Sequence, residues 1–172
     1  MLGDTQVTLP GYKATLGVTI DTAPDAIWPW LLQLGFRRGG LYSYDWLDRL
    51  FGFLDAPSVE RIVPAWQKLA VGDEIPIGRG GGFPVAAIEP FRSLVLAGRA
   101  PGVEWSWELA LVPVDRAHTR LLSRNRVRVR HDISSRMTML AIEPAAFLMT
   151  RKMLLGIKRR AETATHMERR AA

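Results

Sequence analysis

The chain contains no cysteine among its 172 residues. Disulfide cross-links are therefore excluded, and so are zinc sites built on thiolates. Hydrophobic residues make up 48 % of the sequence, which is enough for a chain of this length to bury a core without cross-links. Because no internal repeat or long linker divides the sequence, we expect residues 1–172 to form a single domain.

Long apolar runs are also missing. No stretch reaches the roughly 18 apolar residues that a membrane-spanning helix needs. The first residues, MLGDTQVTLPGYK, contain no basic segment followed by an apolar run, so they do not resemble a secretory signal peptide. These features predict a cytoplasmic protein with no membrane insertion. The net charge of +6 bears on association rather than on the fold.

Motifs for nucleotide or metal binding are absent as well. The glycine-rich segment GRGGGF at residues 78–83 lacks the lysine of a P-loop and the third glycine of a dinucleotide fingerprint. Its glycines instead predict the tip of a β-hairpin. The three histidines, His118, His131 and His166, have no partners at the spacing of a metal-ligand motif. The sequence therefore indicates no cofactor and no metal ion.

The first half of the chain combines one strand with short helices. Residues 12–20 alternate loosely and are rich in β-forming residues, which predicts a strand. Thr22 and Asp25 resemble a capping box before a helix over residues 26–34. A second helix is predicted over residues 43–50, capped by Ser43 or Asp45. Residues 64–69 predict one more helical turn.

The second half predicts a sheet followed by one long helix. From Gly72 onward, short β-forming runs separated by turns are typical of an antiparallel meander of about five strands. Apolar residues at intervals of three and four between Pro144 and Ala164 then predict an amphipathic helix. Because a curved sheet must cover its apolar face, we expect this helix to lie across the concave face, with Met153 and Ile157 buried.

Four segments occur in this order along the chain: APDAIWPWLLQLGFRRGGLYSYDWLDRLFG, GDEIP, SWELALVP…TRLLSRNRVR and EPAAFLMTRKMLLGIKRRAE. Together they resemble the SRPBCC superfamily, the START-like or Bet v 1-like group, in its bacterial polyketide cyclase/dehydrase and lipid-transport-like branch. The resemblance covers residues 12–165 and implies an α+β helix-grip fold, in which a curved antiparallel sheet of seven strands wraps around a long C-terminal α-helix. It also implies an internal hydrophobic cavity. Members bind lipids, sterols, hormones or polyketides, and some are enzymes, so the resemblance does not assign a function.

Residues 104–130 predict a hairpin with one apolar and one charged face. The register that keeps the apolar residues together pairs Trp105–Val127, Trp107–Asn125, Leu109–Ser123, Glu108–Arg124 and Glu104–Arg128. The arginines at 120, 124, 126, 128 and 130 then predict a solvated outer face with acidic neighbours. A β-bulge that turns Arg124 or Arg126 inward, towards an anionic ligand, is the alternative. Nucleic-acid binding is not expected, because glutamates interleave the arginines and the aromatic side chains point the other way.

The apolar face of this hairpin predicts the wall of a small-molecule cavity. Trp105 and Trp107 supply aromatic surface, and Ser123 and Asn125 supply a few polar atoms, as is typical of ligand pockets. An ordinary filled core, in which Asn125 bonds to the backbone, is the alternative.

The segment RRGGLYSYDW, residues 37–46, is a second candidate region. Its two glycines free the backbone, and it brings three aromatic residues within five positions. Such a loop could gate a cavity and offer the hydroxyl of Tyr42 or Tyr44 to a ligand, while simple packing onto the sheet explains it equally well. Asp45 is a candidate general acid or base and equally a helix cap.

The expected function is the binding of a hydrophobic or aromatic small molecule, lipid- or polyketide-like, in the internal cavity. The expected ligand-binding residues are Tyr42, Tyr44, Trp66, Phe83, Trp105, Trp107, Ser123, Asn125, Met149 and Met153. The alternative is a cyclase, dehydratase or lyase that acts on a polyketide-like substrate in the same cavity. Its acid and base groups would come from Tyr42, Tyr44 and Asp45.

Overall fold

The computed structural model describes residues 1–129 and 133–171, with side chains for residues 1–129, 143–167 and 170. Its strands are β1 (Tyr12–Ile20), β2 (Glu74–Pro76), β3 (Gly82–Glu89), β4 (Ser93–Ala100), β5 (Val103–Pro113) and β6 (Thr119–Val129). Its α-helices are α1 (Pro24–Leu32), α2 (Asp45–Leu50) and α3 (Ile133–Ala171). The strands form one antiparallel sheet in the order β1–β6–β5–β4–β3–β2.

The long helix α3 covers one face of the sheet, which is the predicted helix-grip arrangement. Met153 and Ile157 are buried, as predicted, in a cluster with Leu109 of β5 and Leu121 of β6. This cluster excludes water from the apolar side of the sheet and supplies the main hydrophobic stabilisation. Within the described residues the sheet has six strands, one fewer than the resemblance implies. None of the helices in this part of the chain is both long and apolar enough to cross a bilayer.

Two helices begin earlier in the chain than predicted. Helix α1 begins at Pro24 rather than at residue 26, since a proline at the first helical position needs no N–H partner. Pro144, predicted to mark the start of α3, lies inside this helix, which begins at Ile133. The predicted caps also differ: Ala23 precedes α1 and Tyr44 precedes α2, and neither makes a side-chain capping bond.

The hairpin predictions are confirmed. All five predicted pairs between β5 and β6 are present, including Trp107 with Asn125 and Glu108 with Arg124. The glycine-rich segment at 78–83 connects β2 to β3, and the N–H of Ile77 donates to the carbonyl of Gly81 at 2.9 Å across the turn. Alternation of charge and apolar character therefore determines the register of this part of the sheet.

Residues 1–8, which we call the N-terminal strap, lie on the face of the sheet away from α3. The strap contains the 3₁₀ helix Leu2–Thr5. Its backbone N–H groups at Leu2 and Gly3 each donate to the carboxylate of Glu108 at 3.1 Å. Val7 is fully buried. The outer face of β4 and β5 is therefore covered by protein.

This strap corrects the prediction of a solvated arginine face. Arg126 forms an ion pair with Asp4 of the strap, and its side chain is only 11 % exposed. The Nε of Arg124 lies 3.1 Å from the same carboxylate, and Arg128 donates to the carbonyl of Thr8 at 3.1 Å. Neither Arg124 nor Arg126 turns towards α3, so the inward alternative is wrong too. Residue 130, the last predicted member of the arginine stripe, lies outside the described residues.

Candidate ligand-binding face

The α3 side of the sheet can be followed row by row, because directly paired residues point to the same face. One row crosses four strands as Tyr12–Val127–Trp105–Gly98, and the next is Ala14–Asn125–Trp107–Leu96. With strands about 4.8 Å apart, each row is roughly 14 Å wide. All members of the first row stay partly exposed, whereas Leu96 in the second is buried. The first row therefore marks an open end of the sheet, beyond the closed core.

Three aromatic side chains, which we call the aromatic wall, pack together at this open end. The ring centroids of Phe83 and Trp105 are 4.4 Å apart, and those of Phe83 and Trp107 are 5.9 Å apart with an edge-on geometry. A Cβ added at Gly98 would lie 2.7 Å from Cζ2 of Trp105. Because Gly98 has no side chain, the indole of Trp105 can lie directly over it. The three rings remain partly exposed.

Polar groups beside the wall are few. The indole N–H of Trp107 donates to the Oγ of Ser123 at 2.9 Å, and Ser123 is buried. Asn125 pairs with Trp107 across the strands and is partly exposed. Ser123 therefore orients the indole, while Asn125 is placed where a bound molecule could reach its amide.

Tyr12 was not among the predicted site residues, yet it lies in the row of Trp105. Burial raises the pKa of its hydroxyl, and the negative charge of Glu143 on α3 raises it further. The hydroxyl therefore keeps its proton at neutral pH and can donate a hydrogen bond. The period of β1 puts Tyr12 on the same face as Leu16, but the sequence does not reveal that β1 pairs with β6.

Tyr42 is buried in the core and its hydroxyl is already bonded. The hydroxyl accepts a hydrogen bond from Nε2 of Gln33 at 2.9 Å, and the guanidinium of Arg160 lies 4.5 Å above the ring. Burial raises the pKa of this hydroxyl. A Cβ at Gly156 of α3 would collide with the carbonyl oxygen of Tyr42, which explains why a glycine stands inside this helix. Tyr42 therefore joins the 35–61 segment to α1 and α3.

The other predicted residues of this segment also have structural partners. The carboxylate of Asp45 accepts from the N–H of Ser58 at 3.0 Å and from its hydroxyl at 2.7 Å. The ring of Tyr44 lies 5.4 Å below the ammonium of Lys152. The carbonyl of Trp66 accepts from Arg38 at 3.0 Å. None of these contacts involves a residue of the aromatic wall.

The predicted methionines of α3 divide between surface and core. Met153 is buried among the residues of the core cluster, and Met149, one turn earlier, is partly exposed. Of these two methionines, Met149 is therefore the one accessible to a molecule bound between the sheet and the first half of α3.

An open pocket of about 410 Å³ lies at the same end of the sheet, and its lining does not include the rings of the wall. It is lined by Arg99, Ala100, Gly102, Val103, Glu104, Arg128 and Val129. Val103 and Val129 are on the α3 side, whereas Arg99, Glu104 and Arg128 form a cross-strand row on the face that carries the strap. The pocket therefore spans the end of the sheet and does not extend the aromatic wall. Among the described residues, no group of three or more His, Asp or Glu could hold a metal ion.

No protein-family model and no curated protein matches the chain. Solved structures resemble it at low identity. Protein MLL2253 from Mesorhizobium loti shows 17 % identity and a TM-score of 0.49, with 86 % of this chain and 98 % of that chain covered. A point mutant of norcoclaurine synthase from Thalictrum, in complex with a transition-state analogue, shows 13 % identity and a TM-score of 0.49 over 92 % of this chain and 96 % of that one. The di-domain ARO/CYC protein BexL shows 13 % identity and a TM-score of 0.48 over 90 % of this chain and 47 % of that one. A shared fold at this level does not determine an activity.

Proposed function

We propose that the protein binds a hydrophobic or aromatic small molecule, lipid- or polyketide-like, between the aromatic wall and α3. The observation that carries this proposal is the packing of Phe83, Trp105 and Trp107 at the open end of the sheet, where all three rings stay partly exposed. Large apolar rings normally finish inside a core, so rings held together at its edge offer surface to another molecule. We leave Tyr42 and Asp45 out of the site because their polar groups are engaged elsewhere.

The polar groups at this end indicate which part of the ligand would be recognised. The amide of Asn125 and the hydroxyl of Tyr12 both lie on the ligand side of the sheet. A protonated hydroxyl donates a hydrogen bond, which a carbonyl or phenolic oxygen can accept. A mainly apolar compound with one or two such oxygens matches this arrangement.

Binding can be tested with an uncharged solvatochromic dye, Nile red, and by native mass spectrometry of the purified protein. We expect the dye to bind with a fluorescence gain, and Trp107→Leu to weaken binding at least fivefold because it removes one ring of the wall. Phe91→Leu is the matched control, since Phe91 is exposed and contacts Trp28 instead of the wall. Failure of the wild-type protein to bind the dye, or equal effects of the two variants, would contradict the proposal.

Tyr12 is the observation that favours an enzyme as the second candidate: a cyclase, dehydratase or lyase that acts on a polyketide-like substrate. It lies in the cross-strand row of Trp105 and on the same face of the sheet, so its hydroxyl is a candidate acid for protonating a substrate oxygen. Tyr12→Phe separates the two candidates. Loss of one hydrogen bond shifts affinity by about 0.5–1.5 kcal/mol, whereas loss of a general acid lowers the rate roughly 10²–10⁴-fold with little change in binding.

A further inference from the structure

Helix α2 buries Asp48 and exposes two of its three large apolar residues. Asp48 is 0 % exposed, whereas Trp46 is 67 % exposed and Leu50 is 72 % exposed. Phe51, which follows the helix, is 58 % exposed. A surface helix normally presents the opposite arrangement, with apolar residues inward and charges outward. Trp46, Leu50 and Phe51 form what we call the α2 patch.

The reversed orientation of α2 is held by specific bonds beneath it. Ser43 donates to the carboxylate of Asp48, and Asp45 accepts from both the N–H and the hydroxyl of Ser58. The hydroxyl of Ser58 in turn accepts the N–H of Tyr42 at 3.2 Å. Tyr42 has a φ of +56°, a conformation that bulky residues adopt only where the surrounding structure imposes it. These bonds therefore hold the apolar side chains of α2 in solvent, and fraying of the helix does not account for their exposure.

Two cations, Arg49 and Lys152, lie on or next to helix α2. Arg49 is exposed within the helix itself. The ammonium of Lys152 on α3 lies 5.4 Å from the ring of Tyr44, the residue that precedes α2. Leu148, one turn before Lys152 and on the same side of α3, is also exposed. Apolar side chains and cations thus occur together on the surface formed by α2 and this part of α3.

We propose that the α2 patch docks the protein on the surface of an anionic lipid bilayer. Tryptophan, leucine and phenylalanine side chains enter the boundary between headgroups and acyl chains, while nearby cations meet lipid phosphates. The stripe of α3 that carries Met153 and Ile157 is buried against the sheet and therefore cannot contact lipid.

A second copy of the chain fits this patch less well. Trp46 and Phe51 cover about 150–250 Å² each, so even with Leu50 the patch is below the roughly 800 Å² per partner of a stable protein interface. Two copies that associate through the α2 patch would also bring the like charges of Arg49 and Lys152 towards each other. The proposal is independent of the ligand site, because the α2 patch and the aromatic wall share no residue.

Co-sedimentation with lipid vesicles tests the docking. We expect the wild-type protein to sediment with vesicles of phosphatidylcholine containing phosphatidylserine, and at least fivefold less well with phosphatidylcholine alone. Combining Trp46→Ser with Leu50→Ser should weaken binding at least tenfold. The matched control combines Val112→Ser with Val114→Ser, two exposed apolar residues at the β5–β6 turn, and should change binding less than twofold. Circular dichroism checks that all variants fold.

A spectroscopic measurement covers the case in which the serine variant fails to fold. Brominated lipids in the vesicles should quench the tryptophan fluorescence of the wild-type protein, and Trp46→Phe should remove most of this quenching while vesicle binding persists. The proposal is overturned if the wild-type protein does not sediment, if the serine pair binds like the control, or if quenching survives Trp46→Phe. Self-association that depends on Trp46, without vesicle binding, would also overturn it and assign the patch to a protein contact.

Discussion

The carboxylate of Glu108 in β5 accepts the backbone N–H of Gly3 at 3.1 Å, although 105 positions separate the two residues. The same carboxylate accepts from Leu2 at 3.1 Å and from the hydroxyl of Ser93 at 2.8 Å, and Glu108 is 2 % exposed. Its negative charge is therefore satisfied by three donors of the strap and β4. Arg124, its cross-strand neighbour, pairs with Asp4 instead.

Glu108→Ala is expected to lower the free energy of unfolding by at least about 2 kcal/mol, because a buried donor left without an acceptor costs about 1–3 kcal/mol. Glu104→Ala is the control, since the partly exposed ion pairs of Glu104 with Arg128 and Arg99 contribute about 0–1 kcal/mol. Urea denaturation measures both. Equal losses at the two positions would show that the strap contributes little.

Asp48 should make stability depend on pH. Burial raises its pKa against the lowering effect of the bond from Ser43, and the neighbouring Asp45 raises it further. A carboxyl with a higher pKa in the folded state takes up protons on folding, so its contribution to stability falls as pH rises from about 3.9 to the folded pKa. Asp48→Asn, which does not titrate, should therefore gain stability relative to the wild-type protein across that window and keep the gain above it.

Denaturation curves at several pH values between about 4 and 8 test this sign. Asp45→Asn is the control, because Asp45 accepts two hydrogen bonds from Ser58. Replacing the carboxylate of Asp45 should destabilise the protein at neutral pH. A wild-type protein that gains stability over Asp48→Asn as pH rises would contradict the assignment of Asp48.

Tyr42→Phe should affect stability and leave dye binding alone. The substitution removes one of the two acceptors of the Gln33 amide, the other being the carbonyl of Arg61, and keeps the ring beneath Arg160. We expect a loss of about 0.5–1.5 kcal/mol in the free energy of unfolding, measured by urea denaturation, and a Nile red affinity within twofold of the wild-type value. A much larger fall in dye affinity, with an unchanged fold, would show that Tyr42 belongs to the ligand site.

Gly98→Ala should displace the indole of Trp105 and so disturb the aromatic wall. The new Cβ would lie 2.7 Å from the indole of Trp105, so the ring must tilt or the strands must separate, at a cost of about 1–3 kcal/mol. Dye affinity should fall at least threefold. Gly80→Ala is the matched control because its Cβ would meet nothing within 4 Å. Equal dye binding by both variants would mean that the position of Trp105 is unimportant.

The parts of the fold that follow from periodic patterns were predictable. Alternation around Trp107 and Arg124 determines the register of β5 and β6, and the spacing of Met153 and Ile157 identifies the face of α3 that meets the sheet. In each case one face must be buried, so a shift of one residue would place charges in the core. The aromatic residues of the wall were predictable for the same reason.

The strap and the orientation of α2 escaped prediction because neither has such a pattern. Nothing in MLGDTQVT indicates that its backbone would satisfy Glu108, since backbone donors have no sequence signature. A helix was predicted at α2, but its short sequence does not indicate that Asp48 is buried and Trp46 exposed, an orientation held by bonds to Ser43 and Ser58. Burial of polar groups depends on partners elsewhere in the chain, which local periodicity does not record.

The distance along the chain between the strap and Glu108 has a consequence for synthesis. The strap leaves the ribosome first, but its acceptor follows 105 residues later. At about 5–20 residues per second, roughly 5–20 s pass before the two can meet. During that interval Val7, later fully buried, remains in water and available to chaperones. Because its acceptor lies on β5, the strap reaches its final position only after a much later part of the chain has been made.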